Sequence, residues 1–424
     1  MARLTRKYVA ALAAVSVVTA IATLMLKYPD SGNAPAPQLN TLGASAEQGE
    51  YLARAGNCSS CHTTQDNKPY AGGVEFKTPF GTLYSTNISS DKETGIGAWS
   101  FADFYRSMKH GIRPDGSHLY PAFPYTAFAK LSDTDIGSLY LYLQTLAPVN
   151  SPAPLNELNF PFNWRPLLSL WKGLFHNPEA YVADNSKSEE WNRGAYLVEG
   201  PGHCGACHTP RNLMGAEQAG LALTGGVYLD KTKLGHYRSW SAVNLTPADT
   251  GLSSWSADDI SGYLKTGLTN RSVVHGPMNE VILNSTSHLT ESDTRAIATY
   301  LQGIPANSQP TGPAPDAERL AEGEVVYTVH CGSCHLPDGL GDPILGLPLA
   351  GNAIVNAPDP SSLINVILYG PHLPPAPFIA DRSRMKMMGK RLSDADVAAV
   401  STYLRNSFGN RASAVTPQQV NIQR

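Results

Sequence analysis

Apolar and polar positions recur in one order along the chain. A stretch with helical period runs into a Cys-x-x-Cys-His motif, a long loop-rich region follows, and a second helical stretch closes the unit. The opening stretches read EQGEYLARAGNCSSCH, NRGAYLVEGPGHCGACH and AEGEVVYTVHCGSCH, each with a small residue in its helical pattern. The closing stretches read LSDTDIGSLYLYL from Leu131, LTESDTRAIATYL from Leu289 and LSDADVAAVSTYL from Leu392. In each, a Ser or Thr with an acidic residue beyond it predicts a helix N-cap. Each ends in an aromatic–leucine pair suited to pack on the opening helix. The pattern predicts helical domains over 43–150, 188–305 and 315–410. The first two also share TNISSDKETGIGAWS (Thr86–Ser100) and VNLTPADTGLSSWS (Val243–Ser256), which place Trp99 and Trp255 alike, near a cofactor or in the core.

The connecting segments follow other patterns. Arg3, Arg6 and Lys7 precede an uncharged run from Tyr8 to Leu26, and Lys27 closes it. One bilayer crossing needs about 20 apolar residues, so residues 1–30 predict an N-terminal membrane anchor. Cleavage after VTA (Val18–Ala20) is the alternative. In both cases the basic end stays cytoplasmic and the rest is exported. Residues 28–42 read as a linker. Segment 151–187 holds FPFNWRPLLSLWKGLF (Phe160–Phe175), read as an interdomain strap or as an element that touches membrane or quinone. The tail, 411–424, is polar and is expected to be disordered.

Composition narrows the function. The 424 residues carry a formal charge of −3, with no basic stripe or tail, which argues against a nucleic-acid partner. Charged residues make up 16%, whereas Gly and Pro number 37 and 32, a balance suited to short helices and long loops.

All six cysteines lie in the repeated motif: Cys58 and Cys61 before His62, Cys204 and Cys207 before His208, Cys331 and Cys334 before His335. This spacing reads as covalent attachment of c-type haem, one per motif, with the histidine as proximal iron ligand. Zinc would want a second pair near each motif. A disulfide framework gives no reason for a histidine at one fixed place. The overall expectation is an all-α protein of three tandem class I cytochrome c domains after an N-terminal anchor.

A methionine commonly supplies the sixth ligand of an electron-transfer haem. Of the eight methionines, Met278 in HGPMNEV is the candidate in the second domain, with Met214 too near His208 to reach across. Single-domain cytochromes c carry M-P-x-F-x-x-x-L-S before the last helix. Alignment on Leu392 puts Met385 at that ligand position, with Met387 and Met388 as alternatives. In the first domain the same count back from Leu131 lands on Phe123, in PAFPY, which cannot bind iron. Met108 is the first choice there, on a predicted helix where core packing is the alternative role. His110 and His118, expected to be exposed, and an open iron are the other options.

Longer segments carry a family resemblance: HLYPAFPYTAF (His118–Phe128), Phe160–Phe175, RGAYLVEGPGHCGACHTPRN (Arg193–Asn212) and STYLRNSFGN (Ser401–Asn410). The chain resembles the three-haem cytochrome c subunit of membrane-bound periplasmic dehydrogenases of the acetic acid bacteria type. The resemblance implies electron transfer from a catalytic subunit to ubiquinone or a terminal oxidase, at the periplasmic side of the inner membrane. Relatives paired with PQQ alcohol dehydrogenases typically show PAMPY. PAFPY with an upstream methionine is more like cytochromes paired with molybdopterin enzymes, including membrane-bound aldehyde dehydrogenases, sometimes with an iron–sulfur subunit. Two other readings are a peroxidase-like haem enzyme with an open first iron and a cytochrome subunit that feeds a terminal oxidase.

Overall fold

The computed structural model describes Thr19, residues 35–64, 68–232, 235–310, 312–313, 315–342, 344–371 and 385–424. Apart from Thr19, the predicted anchor over 1–30 lies outside the described residues. Among those residues no helix is long and apolar enough to cross a membrane.

In chain order the first repeat holds α1 (Ala46–Ala55), α2 (Cys58–His62), β1 (Glu75–Thr78), β2 (Gly81–Tyr84), α3 (Phe101–His110), α4 (Tyr125–Phe128) and α5 (Asp133–Thr145). Next come β3 (Glu157–Leu158) and α6 (Leu167–Phe175). The second repeat holds α7 (Glu189–Glu199), α8 (Gly205–His208), β4 (Gly226–Lys231), β5 (Tyr237–Ala242), α9 (Ala257–Thr266), α10 (Met278–Asn284) and α11 (Glu291–Gly303). The third holds α12 (Ala317–His330), α13 (Gly332–His335), α14 (Ser361–Tyr369), α15 (Asp394–Leu404) and α16 (Pro417–Gln423). The protein is mostly helical, but the expected all-α class omitted its strands. β1, β2 and β3 form one antiparallel sheet, and β4 pairs with β5 in a hairpin.

The closing helices form as their sequences predict. Ser132, Thr290 and Ser393 cap α5, α11 and α15, each accepting from the backbone N–H three residues on. One glycine per opening helix sets the crossing. A Cβ on Gly49, Gly194 or Gly323 would fall on the carbonyl oxygen of Ser138, Ala296 or Ala399 respectively. It would also come within 2.7 Å of the Cβ of Tyr142, 2.7 Å of that of Tyr300 or 2.6 Å of that of Tyr403. Those tyrosines are the aromatic members of the three closing pairs, so backbone meets backbone where the helices cross.

The chain divides into two compact units, and the division passes through α1. One unit runs to Glu50 and resumes over Thr64–Tyr181; the other is Tyr51–Thr63 with Val182–Arg424. The first motif therefore groups with the second and third repeats.

In the unit containing 64–181, Phe104, Met108, Ile112, Tyr125, Leu131, Ile136 and Leu139 are buried. The strap packs onto them: Trp171 of α6 meets the Tyr125 ring edge-on at 6.2 Å. Lys172 Nζ donates to the carbonyls of His110 and Gly111 at 2.6 and 2.8 Å, capping the end of α3. His176 Nε2 lies 2.8 Å from the Lys109 carbonyl.

In the other unit the third repeat buries Tyr327, Ile364, Leu368, Val397, Val400 and Leu404. It joins the second through β5: Ser362 Oγ donates to Ser241 O at 2.9 Å, and Asn365 Nδ2 to Ser239 O at 2.8 Å. The expectation of a disordered tail is corrected here. Val415 and Val420 are fully buried in that core, and Thr416 caps α16. Tyr369 Oη donates to Gln423 O at 2.9 Å, and Arg424 pairs with Asp394 at 2.7 Å. Val415 and Val420, with Ala412 and Gln423, are the buried side chains that dock the segment.

Candidate haem sites

Each Cys-x-x-Cys-His motif forms about one helical turn: α2, α8 and α13. A turn places residues three and four apart on one face, so both thiols and the imidazole share a side. The turns of the first two motifs are entered through left-handed residues, Asn57 at φ 49° and His203 at φ 37°. The third continues from α12 through Cys331.

The thiols are free and partly accessible, although protein surrounds them on most sides. Burial pushes Cys58, Cys61 and Cys204 up to about 12, with neighbouring cysteines adding to it. Cys331 is pushed up to about 11 and Cys207 also upward, burial leading in both. These are neutral thiols, unlike the low-pKa thiolates of dithiol redox pairs. Among the described residues no group of three or more Cys, His, Asp or Glu is placed to hold a metal ion.

The histidines show how the loops orient them. His208 Nδ1 lies 2.7 Å from Val243 O, and His335 Nδ1 lies 2.8 Å from Leu347 O. A carbonyl only accepts, so Nδ1 carries the proton and Nε2 keeps its lone pair. Burial lowers both pKa values, and the carbonyl hydrogen bond opposes this only in part. Such a neutral imidazole, fixed through Nδ1, is the usual state of a metal-ligating histidine. His62 ends α2 at the matching place. The residues thus fit a c-type haem: a neutral thiol pair and an oriented imidazole on one face.

The Val243 carbonyl is fixed by a knot that sequence reasoning did not single out. Asn244, buried at the next position, donates to Asn307 O at 2.8 Å, and its Oδ1 accepts from Thr246 N at 2.8 Å. Asn87 does the same in the first repeat, donating to Val149 O at 2.7 Å and accepting from Ser89 N at 2.9 Å. The shared N-[IL]-[ST] in the two matched segments is the sequence signal. Trp99 and Trp255, just downstream, are both half-buried, and neither is a core residue. Their backbone carbonyls accept from Tyr140 Oη and Gln302 Nε2.

The methionines separate by environment. Met278 opens α10, half-buried against Val274 and Ile282. Met385 and Met388 are half-buried against the third core, whereas Met387 is 62% exposed and Met214 47%. Met108 is buried within α3.

The backbone repeat settles which position matches Met278. Lys109 Nζ donates to Ala129 O and Leu131 O, and Lys265 Nζ to Ser287 O and Leu289 O. The left-handed caps Gly111 and Gly267 follow, and their carbonyls accept from Leu119 N and Val274 N. Four residues beyond those lie Phe123 and Met278, so Phe123 occupies the counterpart of Met278, and Met108 that of Leu264. Phe123 packs on Phe128 at 5.3 Å. His110, expected to be exposed, is buried, and its Nδ1 has no hydrogen-bond partner among the described residues. His118 Nδ1 lies 2.8 Å from Lys172 Nζ.

The first motif packs directly on second-repeat elements. Asn284 Nδ2 at the end of α10 donates to Ser60 Oγ at 2.8 Å, and Ser285 Oγ to Ala55 O at 3.0 Å. His203 Nε2 lies 3.2 Å from Gly56 O. After burial, the nearby Cys207 is the next influence that raises the Cys61 thiol.

The cytochrome c family signature matches residues 46–147 and 320–408. A nicotinate dehydrogenase subunit of Pseudomonas putida is 43% identical over 373 residues, 86% of this chain; the chain spans only 30% of that protein's length. The cytochrome c subunit of the quinone alcohol dehydrogenase of Gluconobacter oxydans is 39% identical over 385 residues, 86% of this chain and 79% of the relative. The fructose dehydrogenase cytochrome subunit of Gluconobacter japonicus is 36% identical over 411 residues, covering 89% and 82%.

Proposed function

The chain belongs to the cytochrome c subunits of dehydrogenase complexes, and from that premise we propose that it carries electrons from a catalytic subunit through three covalent c-type haems to ubiquinone or the respiratory chain. The observation that carries this reading is the neutral histidine held through Nδ1 in the turn that presents the thiol pair. Each bound haem supplies a one-electron iron centre. Cys58 and Cys61, Cys204 and Cys207, and Cys331 and Cys334 hold the three groups in domains 43–150, 188–305 and 315–410. His62, His208 and His335 are the proximal ligands. Met278 and Met385 are the sixth ligands of the second and third haems, and Met108 is the first choice for the first. Residues 1–30 tether the protein to the inner membrane, periplasmic side.

Phe123 in place of a methionine favours a molybdopterin partner of the aldehyde dehydrogenase type, with a PQQ alcohol dehydrogenase next. The test is to purify the protein in mild detergent, count haems by intact mass, and identify the cofactor of the subunit that co-purifies. Three haems with molybdenum support the reading. PQQ on a large subunit overturns the partner choice, and fewer than three haems overturns the count.

The same Phe123 supports a second reading, an open first iron that reduces small molecules. Carbon monoxide distinguishes them: a first haem that binds it readily lacks a sixth ligand, and one that resists it has Met108 or a histidine.

A further inference from the structure

The opening helices differ in what covers them. On α12 the residues Glu318, Glu322, Val325 and Val329 are spaced four, three and four apart, which is one helical stripe, and all four are exposed. Val325 is 64% and Val329 69% exposed, and the stripe runs towards Cys331. Counted from the crossing glycines, Tyr51 and Ala55 hold the valine positions in the first repeat. Ala55 is buried, and Tyr51 Oη donates to Asp293. Their counterparts in the second are Tyr196, half-buried, and Gly200, buried. Among the described residues the third repeat alone bares this stripe.

The loop beyond the third motif adds to it. Leu340 and Ile344 are 60% and 70% exposed, and Leu345 is 48% exposed. Carboxylates display these side chains: Asp338 Oδ1 accepts from Leu340 N at 3.0 Å, and Asp342 Oδ1 from Ile344 N and Leu345 N at 2.8 Å each. The same loop is pinned to the motif. Gly341 N donates to His335 O at 3.1 Å and Asp342 N to Cys334 O at 3.0 Å. Apolar side chains therefore flank the third motif on both chain sides.

Scattered exposed apolar residues are ordinary, but a cluster at a functional group is informative. This stretch of chain is acidic: from Asp316 to Gly351 the sequence carries six carboxylates, one arginine (Arg319) and no lysine, and basic residues of the repeat, among them Lys386, Lys390 and Arg391, follow later in the chain. A permanent subunit interface would be depleted of charge at its core and extensively apolar. Exposed apolar side chains carried on an acidic stretch of chain suit a brief encounter steered by opposite charge.

We propose that this surface is the docking port for a separate one-electron redox protein whose own apolar contact is ringed by Lys and Arg. A haem held by Cys331, Cys334 and His335 would supply the electron there, its iron passing from ferrous to ferric as the partner's one-electron centre is reduced. The port rests on the electron-transfer reading above.

The test uses the full-length haem-loaded protein in detergent, reduced and then mixed with a ferric, lysine-rich single-domain cytochrome c. An acidic cytochrome c and the uncharged oxidant benzoquinone serve as comparisons. Glu318→Lys with Glu322→Lys is expected to slow oxidation by the basic cytochrome about tenfold at low salt, the difference closing at high salt. Val325→Ser with Val329→Ser is expected to slow it about fivefold at any salt, and neither pair is expected to change haem content or oxidation by benzoquinone. The port is overturned if both variants match the parent, or if the acidic cytochrome is the faster partner. It is also overturned if the variants alter only self-association or binding to phosphatidylglycerol vesicles. A parent protein that reduces neither benzoquinone nor a cytochrome would overturn the electron-transfer reading itself.

Discussion

Because a carbonyl oxygen never donates, the proton of His208 and of His335 is held away from the side that would face iron. The opposite ligand then decides potential and access. Met278→Leu is expected to let carbon monoxide bind the second haem and to lower its midpoint potential, because a thioether favours the reduced iron. Met214→Leu, at an exposed side chain, is expected to change neither. A Met278→Leu protein that still excludes carbon monoxide would mean another residue ligates. The cysteines and histidines were legible in sequence because covalent attachment fixes their spacing. Arg405 was not, because its partners are backbone carbonyls. Fully buried, it donates through Nη1 to Val355 O and Ala357 O and through Nε to Ser413 O, and burial pulls it down to about 10, with Asp359 partly opposing. Arg405→Leu strands those acceptors at roughly 1–3 kcal/mol for each buried group left unpaired. A drop of more than about 10 °C in the melting of the third-repeat helices follows, measurable by circular dichroism. An unchanged melting curve would show that water replaces the guanidinium.

The crossing of opening and closing helices was the most legible element, because small residue, cap and aromatic pair recur three times. The strands were missed because pieces of two to six residues among Gly and Pro resemble loops. The tail helix was missed because Val415, Val420 and Ile422 are the only large apolar residues in a polar run and show no helical repeat. At the crossing of α7 and α11, Arg193 Nη2 lies 2.7 Å from Asp293 Oδ2, and the same oxygen accepts from Tyr51 of α1 at 2.5 Å. Burial pushes the Asp293 carboxyl up, but the hydrogen bonds from Arg193 and Tyr51 and the Arg193 charge outweigh it, so its pKa is lowered. The folded form therefore holds its proton less tightly than the unfolded chain. The stabilisation is complete above the unfolded carboxylate value of about 3.9 and is lost as pH falls through the lower folded value. In acid melts the parent is expected to lose stability over that window, and Asp293→Asn to start lower and lose less. Equal acid slopes would place the acid sensitivity elsewhere. Gly323→Ala is the complementary change. Its methyl meets the Ala399 carbonyl and the Tyr403 Cβ, so α12 is expected to lift from α15 and the haem-loaded yield to fall several-fold.

At the scale of the whole molecule, the division of the chain does not follow the repeats. Sequence periodicity predicts three equal modules, because it records what each repeat shares. It does not record packing between repeats, which uses residues particular to each, such as Ser60, Asn284 and Ser285. Those contacts hold the first motif against α10, the helix that begins with Met278, and put the Cys61 thiol within electrostatic reach of Cys207. The third repeat instead meets the second through α14 on β5 and through Asn352 on the Arg271 carbonyl. Charge on one haem is felt by a neighbour roughly in inverse proportion to distance, weakened by the medium. The first two haems are therefore expected to titrate as an interacting pair, oxidation of one raising the potential of the other, and the third to titrate nearly alone. The measurement is a redox titration of the parent beside two variants, Cys58→Ser/Cys61→Ser and Cys331→Ser/Cys334→Ser. Loss of the first haem should move the midpoint of the second, whereas loss of the third should leave the interacting pair intact. If instead the third variant disturbs the pair as much as the first, the coupling runs through β5 and α14, and the contact between α2 and α10 is structural only.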